Sequence, residues 1–438
     1  MRFEIVQGDE LLSSHSGLAL VGEILSSSKL RKRLDRVRLP DHPSPKISHG
    51  EVVTAMLGLM CLGKPDFDAI EPFRDDPFFI KSLGLSSVPS SPTLRQRLDS
   101  ARGALNRILL EESAKVVRRF APAITPSEGD LVAIDVDVSP FDNSETKKEG
   151  VSWTYKNYNG YAPIFAYVGK EGYLANLDLR PGSDHCQKGT KEFLERTLGY
   201  ARLMSNAPFL VRMDSGNDSL ENIKVCRKKK THYIIKRNLR KETKEEWLKI
   251  AMECGEVEEP RPGKQVWRGE QHVKRAGIDE PLRIIFRVTR RTTDTNGQVR
   301  MIPEVEVETY WTSLDVDTVR VIELYHAHGT SEQFHSELKT DLDLERLPSG
   351  KFQTNGLVLL LGMIAYNLLR LIGQESLQWN DAPIRNRPFR RRIRSVMQDL
   401  IYLACRMAKH SRQLLLSFGR RCPWFNTWQR IYLRLAPT

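Results

Sequence analysis

The sequence predicts an α/β protein in which a sheet-forming core lies between two helical regions. Three observations lead to this prediction. The first 125 residues carry apolar side chains at helical spacing. Residues 126–238 alternate short β-rich runs with amphipathic helical segments. A polar stretch with Gly and Pro breaks then separates this region from a second, largely helical half.

Residues 1–125 are predicted to form a helical N-terminal region. The run "SHGEVVTAMLGLMCLG" begins with Ser48 and Glu51 at capping-box spacing. A later helix is predicted to begin at "SSPTLRQRLDS", with Ser91 as its N-cap and Pro92 at its first position. A short helix beside a turn could enter a groove of nucleic acid, which indicates a binding or assembly role. An ordinary helical bundle is the alternative for each of these helices.

Residues 126–238 are predicted to form the first part of the core. The run "LVAIDVDV" is the first strand, and two aromatic, β-branched strands follow it. A helix, the strand "PFLVRMDSG", a second helix and the strand "THYIIKRN" complete the order. Because crossovers between parallel strands are right-handed, the first and fourth strands can lie side by side in one sheet.

Residues 239–304 are predicted to form a β-rich insertion. There the strand "LRIIFRVTRR" is joined through a "DTNG" turn to "EVEVETYWTSL". Residues 305–375 return to the core. They include an apolar run from Leu357 to Ile372, which we predict to be a buried helix because Asn367 and Arg370 interrupt it and it is short for a membrane span. Residues 376–438 are predicted to form a basic helical C-terminal region.

The charge of the chain is concentrated in this last region. The net charge is +12, and from Arg385 onward 13 Lys and Arg residues stand against one acid, Asp399. Such density is typical of a region that binds a polyanion, most often nucleic acid. A solubilising basic end without a partner is the alternative. The arginines expected to contact the partner are Arg390, Arg391, Arg392 and Arg394.

The remaining composition indicates a cytoplasmic protein without membrane contact. The six cysteines are scattered and none forms a C-x-x-C pair, so free thiols in a reducing compartment are expected. The opening "MRFEIVQGDELLSS" contains acids and lacks the apolar centre of a signal peptide.

Four carboxylates are candidates for a catalytic site. Asp135 and Asp137 lie two residues apart in the first core strand, so both face the same side of the sheet. Asp214 ends the fourth strand, at the sheet edge where ligands bind in open α/β folds. Glu332 lies on a later helix. Oxygen ligands of this kind suit Mg²⁺, and two such ions ~3.5–4 Å apart can promote phosphoryl transfer.

Glu332 belongs to a polar face in the stretch "YHAHGTSEQFHSELK", residues 325–339. A helix returns to the same face every seven residues, and positions three or four apart lie on the same side. The opposite side carries Phe334 and Leu338 as apolar anchors. A solvated helix face is the alternative interpretation of this pattern. The residues predicted to share the polar side are Tyr325, His328, Glu332, His335 and Lys339.

This stretch resembles the Y-x2-R-x3-E-x6-K signature of the DDE transposases of bacterial insertion sequences. Tyr325, His328, Glu332 and Lys339 fall on its four places, with His328 in the position of the Arg. Further similarity lies in "IDVDVS", "YLANLDLRPGSDHCQKG", "LVRMDSGNDS", "YWTSL" and "IAYNLL", so the resemblance spans roughly residues 131–369. It implies an RNase H-like core with a β-rich insertion between the second Asp and the Glu.

The resemblance also implies roles for individual residues. Asp137, Asp214 and Glu332 would hold two Mg²⁺ ions, for which Mn²⁺ would substitute, while Asp135 competes with Asp137 as the first ligand. Contacts to DNA phosphates near the cleaved end are implied for the other signature positions. For His328, packing or one neutral hydrogen bond is an equal alternative to a charged contact. The signature residues expected at the DNA are Tyr325, His328 and Lys339.

The predicted function is that of a transposase. The protein is expected to bind double-stranded DNA at the terminal inverted repeats of its element. Mg²⁺-dependent cleavage and strand transfer into target DNA would follow, by cut-and-paste transposition. A homodimer in the DNA complex and a location at the bacterial nucleoid are expected. Two alternatives stay open: an RNase H-like nuclease or resolvase, and a catalytically silent DNA-binding repressor.

Overall fold

Backbone pairing among the apolar strands builds a nine-stranded mixed sheet. This sheet is the centre of the computed structural model, which describes residues 2–42, 45–294, 296–411 and 413–436. Helices pack against it, and one hydrophobic core runs from the N-terminal helices through the sheet to the C-terminal helix. The mixed α/β class predicted from the order of the elements is confirmed.

The N-terminal region is helical as predicted, apart from one short strand. The predicted capping box is present, since Ser48 Oγ accepts from the Glu51 amide at 3.2 Å and the Glu51 carboxylate accepts from the Ser48 amide. The predicted cap at Ser91 is wrong by one residue, because Ser90 supplies the capping oxygen and Ser91 is already helical. The elements are β1 (Leu11–Ser13), α1 (Leu18–Ser26), α2 (Leu30–Leu34), α3 (His49–Cys61), α4 (Pro77–Ser82), α5 (Ser91–Ala101) and α6 (Asn106–Phe120).

The core follows the predicted order of strands and helices, with three additional short strands before its first helix. Its elements are β2 (Val132–Val138), β3 (Phe141–Asp142), β4 (Ser152–Trp153), β5 (Asn159–Tyr161), β6 (Ile164–Val168), β7 (Tyr173–Asp178), α7 (Thr190–Met204), β8 (Phe209–Met213), α8 (Leu220–Lys228) and β9 (His232–Lys236). The predicted neighbours, β2 and β8, pair in parallel, and β9 joins β8 in the same direction. On the other side of β2, the strands β6 and β7 run antiparallel, while the three additional strands, β3, β5 and β4, form a small separate sheet.

The predicted β-rich insertion extends the central sheet. Its elements are α9 (Lys244–Cys254), β10 (Glu256–Arg261), β11 (Lys264–Val273), β12 (Leu282–Thr293) and β13 (Val299–Thr312). The last residues of β13 pair with β9, and the four strands continue outward from there. An edge strand exposes unpaired backbone groups, and β13 satisfies those of β9. β13 also runs across residue 304, where the insertion was predicted to end.

The helices after the insertion return to the core. They are α10 (Thr318–His326), α11 (Ser331–Ser336) and α12 (Phe352–Ser376). By length and composition α12 could cross a membrane, but 94% of its most apolar window is buried inside the fold, where it packs against α3, α6 and β7. The predicted buried helix is therefore confirmed.

The C-terminal region is only partly helical, which corrects the prediction. Its elements are α13 (Ile393–Val396), β14 (Cys405–His410), β15 (Gln413–Phe418) and α14 (Phe425–Leu435). β14 alternates buried Cys405 and Met407 with exposed Arg406, the period-two pattern of a strand with one covered face. β14 pairs with β15 on one side and with β1 on the other, so this sheet joins the two ends of the chain.

Asn367 offers a test of how α12 is held to the sheet. Its side chain accepts from the Leu174 amide at 2.9 Å and donates to the Leu174 carbonyl at 2.8 Å, so it satisfies the backbone of β7 where the β6–β7 register shifts. Asn367→Leu should lower the free energy of unfolding by about 2–4 kcal/mol, because two buried backbone groups lose their partner. Chemical denaturation measures this change, and the exposed Gln378→Leu on the same side of the fold serves as the control. An equal loss in both variants would contradict this role.

Candidate active site

The register of two neighbouring strands brings two aspartates together. Val136 of β2 lies opposite Met213 of β8, so the next residues, Asp137 and Asp214, end the two strands side by side. Neighbouring strands lie ~4.8 Å apart and paired residues face the same side, which places both carboxylates at one edge of the sheet. Both line a cleft of ≈ 770 Å³, which we call the central cleft.

The two carboxylates differ in their electrostatic surroundings. Burial raises the pKa of Asp214 above its usual value, and the charge of Asp137 raises it further. For Asp137 burial acts in the same direction and is the largest single effect, but the hydrogen bond and charge of His335, the charge of His328 and the Val138 amide together outweigh it and lower the pKa. A cation bound between the two would relieve their repulsion, because it favours the ionised form of both.

A broken helix forms the opposite wall of the central cleft. The stretch from residue 325 to 339 was predicted as one helix, but α10 ends at His326, a 3₁₀ turn spans Ala327–Thr330, and a wide π-helical turn follows α11 at Glu337–Asp341. Phe334 and Leu338 are buried behind this wall, as predicted. The predicted polar side faces the cleft with Tyr325, His328, Glu332, His335 and Lys339.

Glu332 reaches the central cleft from an exposed position on α11. It also borders a second cleft on the other side of the helix, whose lining includes Arg320 and Arg390. Among the described residues, no group of three His, Cys, Asp or Glu side chains is gathered closely enough to hold a metal ion. Asp137 and Asp214 nevertheless fit a divalent cation, since they offer oxygen donors from adjacent strand ends and the charge of Asp137 raises the proton affinity of Asp214.

A buried histidine and a tyrosine fix the orientation of Asp137. His335 places Nε2 3.1 Å from Asp137 Oδ2, and its Nδ1 lies 3.0 Å from the hydroxyl of Tyr167. Because an ionised carboxylate can only accept, Nε2 carries the hydrogen, and in the neutral imidazole the Tyr167 hydroxyl then donates to Nδ1. Sequence analysis placed His335 on the correct face but missed Tyr167, whose only signal was its position in an aromatic strand.

Asp135 is buried and does not line the central cleft. Both of its oxygens accept from the Arg212 guanidinium, at 2.6 Å from Nε and 2.7 Å from Nη2, and Oδ1 also accepts from His328 Nδ1 at 2.9 Å. Although burial favours the neutral acid, Arg212 and His328 hold the pKa of Asp135 below its usual value. Of the two aspartates left open by the sequence, the structure places Asp137 at the cleft beside Asp214.

Comparison with known proteins assigns the chain to a family. The sequence profile described as transposase DDE domain, group 1, matches residues 5–438. The chain belongs to this family. A comparison with curated protein sequences finds no match. Among solved structures, the piggyBac transposase in its synaptic complex with hairpin DNA is similar at 12% identity and a TM-score of 0.41, over 89% of this chain and 78% of that chain.

The other signature residues of this DDE transposase family member make different contacts within the protein. Tyr325 is half-buried against Tyr310, with ring centroids 4.7 Å apart. Lys339 donates to the Pro140 carbonyl at 2.6 Å, and burial lowers the pKa of its ammonium. His328 is buried and bonded to Asp135 through Nδ1, while its side chain also borders the central cleft, so its contact with DNA stays a prediction.

The arginines predicted to contact DNA are paired with acids of the same chain. Arg391 lies in the interior, bonded to Asp399 and stacked on Trp424, which contradicts a surface role for this residue. The other three arginines remain partly exposed, and their contacts with DNA stay predictions. They are Arg390, bonded to Glu337 at 2.5 Å, and Arg392 and Arg394, both paired with the buried Asp341.

The two neighbouring aspartates of β2 should differ sharply in their effect on stability. Asp135→Asn leaves the Arg212 guanidinium buried without a counter-charge, which should destabilise the protein by about 3–5 kcal/mol. Asp137→Asn keeps the volume at a solvated cleft and relieves the repulsion with Asp214, so its loss should stay below about 1 kcal/mol. Thermal and chemical unfolding of both variants measure the difference. Equal destabilisation of the two variants would show that the ion pair of Asp135 with Arg212 is not the cause of the loss of stability.

Proposed function

We propose that this protein is a DNA transposase that cleaves the ends of its element and joins them to target DNA. One observation carries the proposal: Asp137 and Asp214 lie side by side at adjacent strand ends, and Glu332 reaches the same cleft from α11. The intact carboxylates support an active enzyme over a silent DNA-binding protein. Membership of the DDE transposase family supports this chemistry.

The core carrying these residues is proposed to be RNase H-like. Three parallel strands, β9, β8 and β2, are followed in the sheet by the antiparallel strands β6 and β7. An RNase H-like core is what the family resemblance implied. The first two carboxylates, Asp137 and Asp214, then come from the neighbouring parallel strands β2 and β8. The third, Glu332, comes from a helix that follows the insertion in the sequence.

Asp137, Asp214 and Glu332 are the residues that would hold the divalent ions, Mg²⁺ or, in its place, Mn²⁺. When bound, such ions supply Lewis-acid stabilisation of phosphate charge and favour the ionised form of a water molecule. The protein contributes the orientation of the ligands. His335 and Tyr167 hold the Asp137 carboxylate towards the cleft, and Asn217 donates to Asp214 Oδ1 at 2.7 Å.

Two in-line substitutions at phosphorus account for the proposed reaction. In the first, a water oxygen attacks the phosphodiester at the element end, and the 3′ oxygen leaves as a hydroxyl. In the second, this 3′ hydroxyl attacks a phosphate of target DNA and displaces the 3′ oxygen of the target strand. Neither step requires a covalent bond between protein and DNA, so the site needs carboxylates but no nucleophilic side chain.

The rim of the central cleft suits a DNA strand. Lys156 and Lys339 line it, and the Tyr155 side chain beside them remains 60% exposed although its hydroxyl donates to the Val138 carbonyl. Ammonium groups bind phosphates, and exposed aromatic rings can stack on bases. Terminal inverted repeats as the specific substrate, a homodimer in the complex and action at the bacterial nucleoid are parts of the same proposal.

Conservative substitution of the carboxylates tests the proposed chemistry. Asp137→Asn, Asp214→Asn and Glu332→Gln should each lower the rate of end cleavage at least 1,000-fold, because several kcal/mol of transition-state stabilisation are lost. Binding to a labelled element end should change less than about threefold, a difference of well under 1 kcal/mol. Asp142→Asn, an exposed aspartate on β3, is the control.

Mapping the products with Mg²⁺ separates the candidate functions. Cleavage followed by joining to target DNA supports transposition, whereas cleavage without joining would indicate a nuclease or resolvase. Binding without cleavage by the unaltered protein would indicate a repressor. Near-normal cleavage by any of the three carboxylate variants would contradict the site itself.

The basic C-terminal region is best tested by substitution. Trp428 and Ile431 of α14 are buried in the core, so deleting the region would unfold the protein. Arg420 and Arg421 are exposed, and changing both to Gln should flatten the slope of log K against log salt by about 0.9 for each phosphate that the protein no longer neutralises. Binding of an element end at several salt concentrations measures the slope. Lys249→Gln on α9 is the control, and an unchanged slope in the double variant would show that these arginines do not contact DNA.

A further inference from the structure

A buried network lies directly behind the three carboxylates. Each of its members lies within four residues of one of them in the sequence. Asp135 stands two residues before Asp137 on β2, and Arg212 stands two residues before Asp214 on β8. The third member lies one helical turn from the remaining carboxylate, at the junction between α10 and α11. It is His328, four residues before Glu332.

The contacts of this network join the three elements at fixed distances. The Arg212 guanidinium holds both Asp135 oxygens, at 2.6 and 2.7 Å, so it bridges β8 and β2 with a two-point contact. Its remaining nitrogen, Nη1, donates to the Leu324 carbonyl on α10 at 2.7 Å. His328 Nδ1 lies 2.9 Å from Asp135 Oδ1 and closes the connection from β2 to the helix junction.

Stability alone does not account for such a network. Asp135, Arg212 and His328 are 2%, 3% and 7% exposed, so the ion pair of Asp135 with Arg212 is almost entirely removed from water. Burying an ion pair costs about as much as its attraction returns, and apolar residues of similar volume stabilise a core as well or better. What apolar residues cannot supply is direction, because a guanidinium fork and an imidazole each fix the angle as well as the distance to a carboxylate.

We propose that Arg212, Asp135 and His328 form a positioning network that sets Glu332 of α11 against Asp137 and Asp214. Asp135 and Arg212 support the site from behind, and His328 stands at the wall of the central cleft. It rests on the proposed function, since it assigns these residues to the geometry of the same site. Buried partners that orient metal ligands typically change metal affinity or activity 10- to 100-fold when they are removed.

Two substitutions of His328 separate positioning from packing. His328→Asn keeps an N–H donor near the place of Nδ1, whereas His328→Leu removes the donor at similar volume. We expect His328→Leu to lower the single-turnover rate of end cleavage at saturating DNA about tenfold or more, and His328→Asn to stay within about threefold of the unaltered protein. Asn176→Leu is the control. It removes an equally buried contact, Asn176 to Thr197 at 3.0 Å, which joins β7 to α7 away from the carboxylates.

Binding of Mn²⁺ alone, followed through the signal of the free ion, gives a readout independent of the reaction. His328→Leu should weaken Mn²⁺ binding about tenfold, and Asn176→Leu should leave it unchanged even where it lowers the melting temperature. If His328→Leu does not fold, Arg212→Lys serves instead, because lysine keeps the charge but loses the two-point contact. Its expected effect on Mn²⁺ binding is the same.

The outcomes distinguish this inference from the proposed function. If the unaltered protein binds Mn²⁺ but cuts no element end, the proposed function fails, and the Mn²⁺ affinities of the variants still test the network. If folded His328→Leu and Arg212→Lys both bind Mn²⁺ and cleave DNA like the unaltered protein, the network has no positioning role. An equal loss in Asn176→Leu would also overturn the proposal, because general destabilisation would then explain the effect.

Discussion

The parallel pairing of β2 with β8 is the constraint on which the rest of the site depends. Side chains alternate between the two faces of a strand, so a shift of one residue would turn Asp137 away from Asp214. The apolar residues of both strands are buried, and this burial makes any other register costly. A single register therefore decides two things at once: which aspartates meet at the cleft, and which residues meet behind it.

The same register separates two aspartates that look alike in the sequence. Asp135 and Asp137 share a face of β2, yet Asp135 lies deeper and opposite Arg212, while Asp137 lies at the strand end. The guanidinium neutralises the deeper carboxylate, and the outer one is left for ligands. The helix junction completes this division, because His328 turns inward to Asp135 while Glu332, one turn later, faces outward.

Sequence reasoning succeeded where short-range chemistry decides the outcome. The order of strands and helices, the capping box of α3 and the buried anchors Phe334 and Leu338 all follow from local patterns. It failed where a distant partner decides. The residues around Arg212, "FLVRM", do not indicate that its partner is Asp135. The basic residues around β14 and β15 do not indicate a hairpin, and β14 pairs on its other edge with β1, near the start of the sequence. The insertion was recognised as β-rich, but its continuity with the sheet depends on the edge of β9.

The pairing of β1 with β14 also constrains the order in which the fold can form during synthesis. β1 and α1 leave the ribosome before the core, but their partners β14 and α14 are made after it. During synthesis β2 can pair with β8, and β8 with β9, while the backbone groups of β1 still lack their partner strand. A chain that stops before β14 therefore leaves β1 unpaired, so this part of the fold forms only after β14 and α14 have been translated.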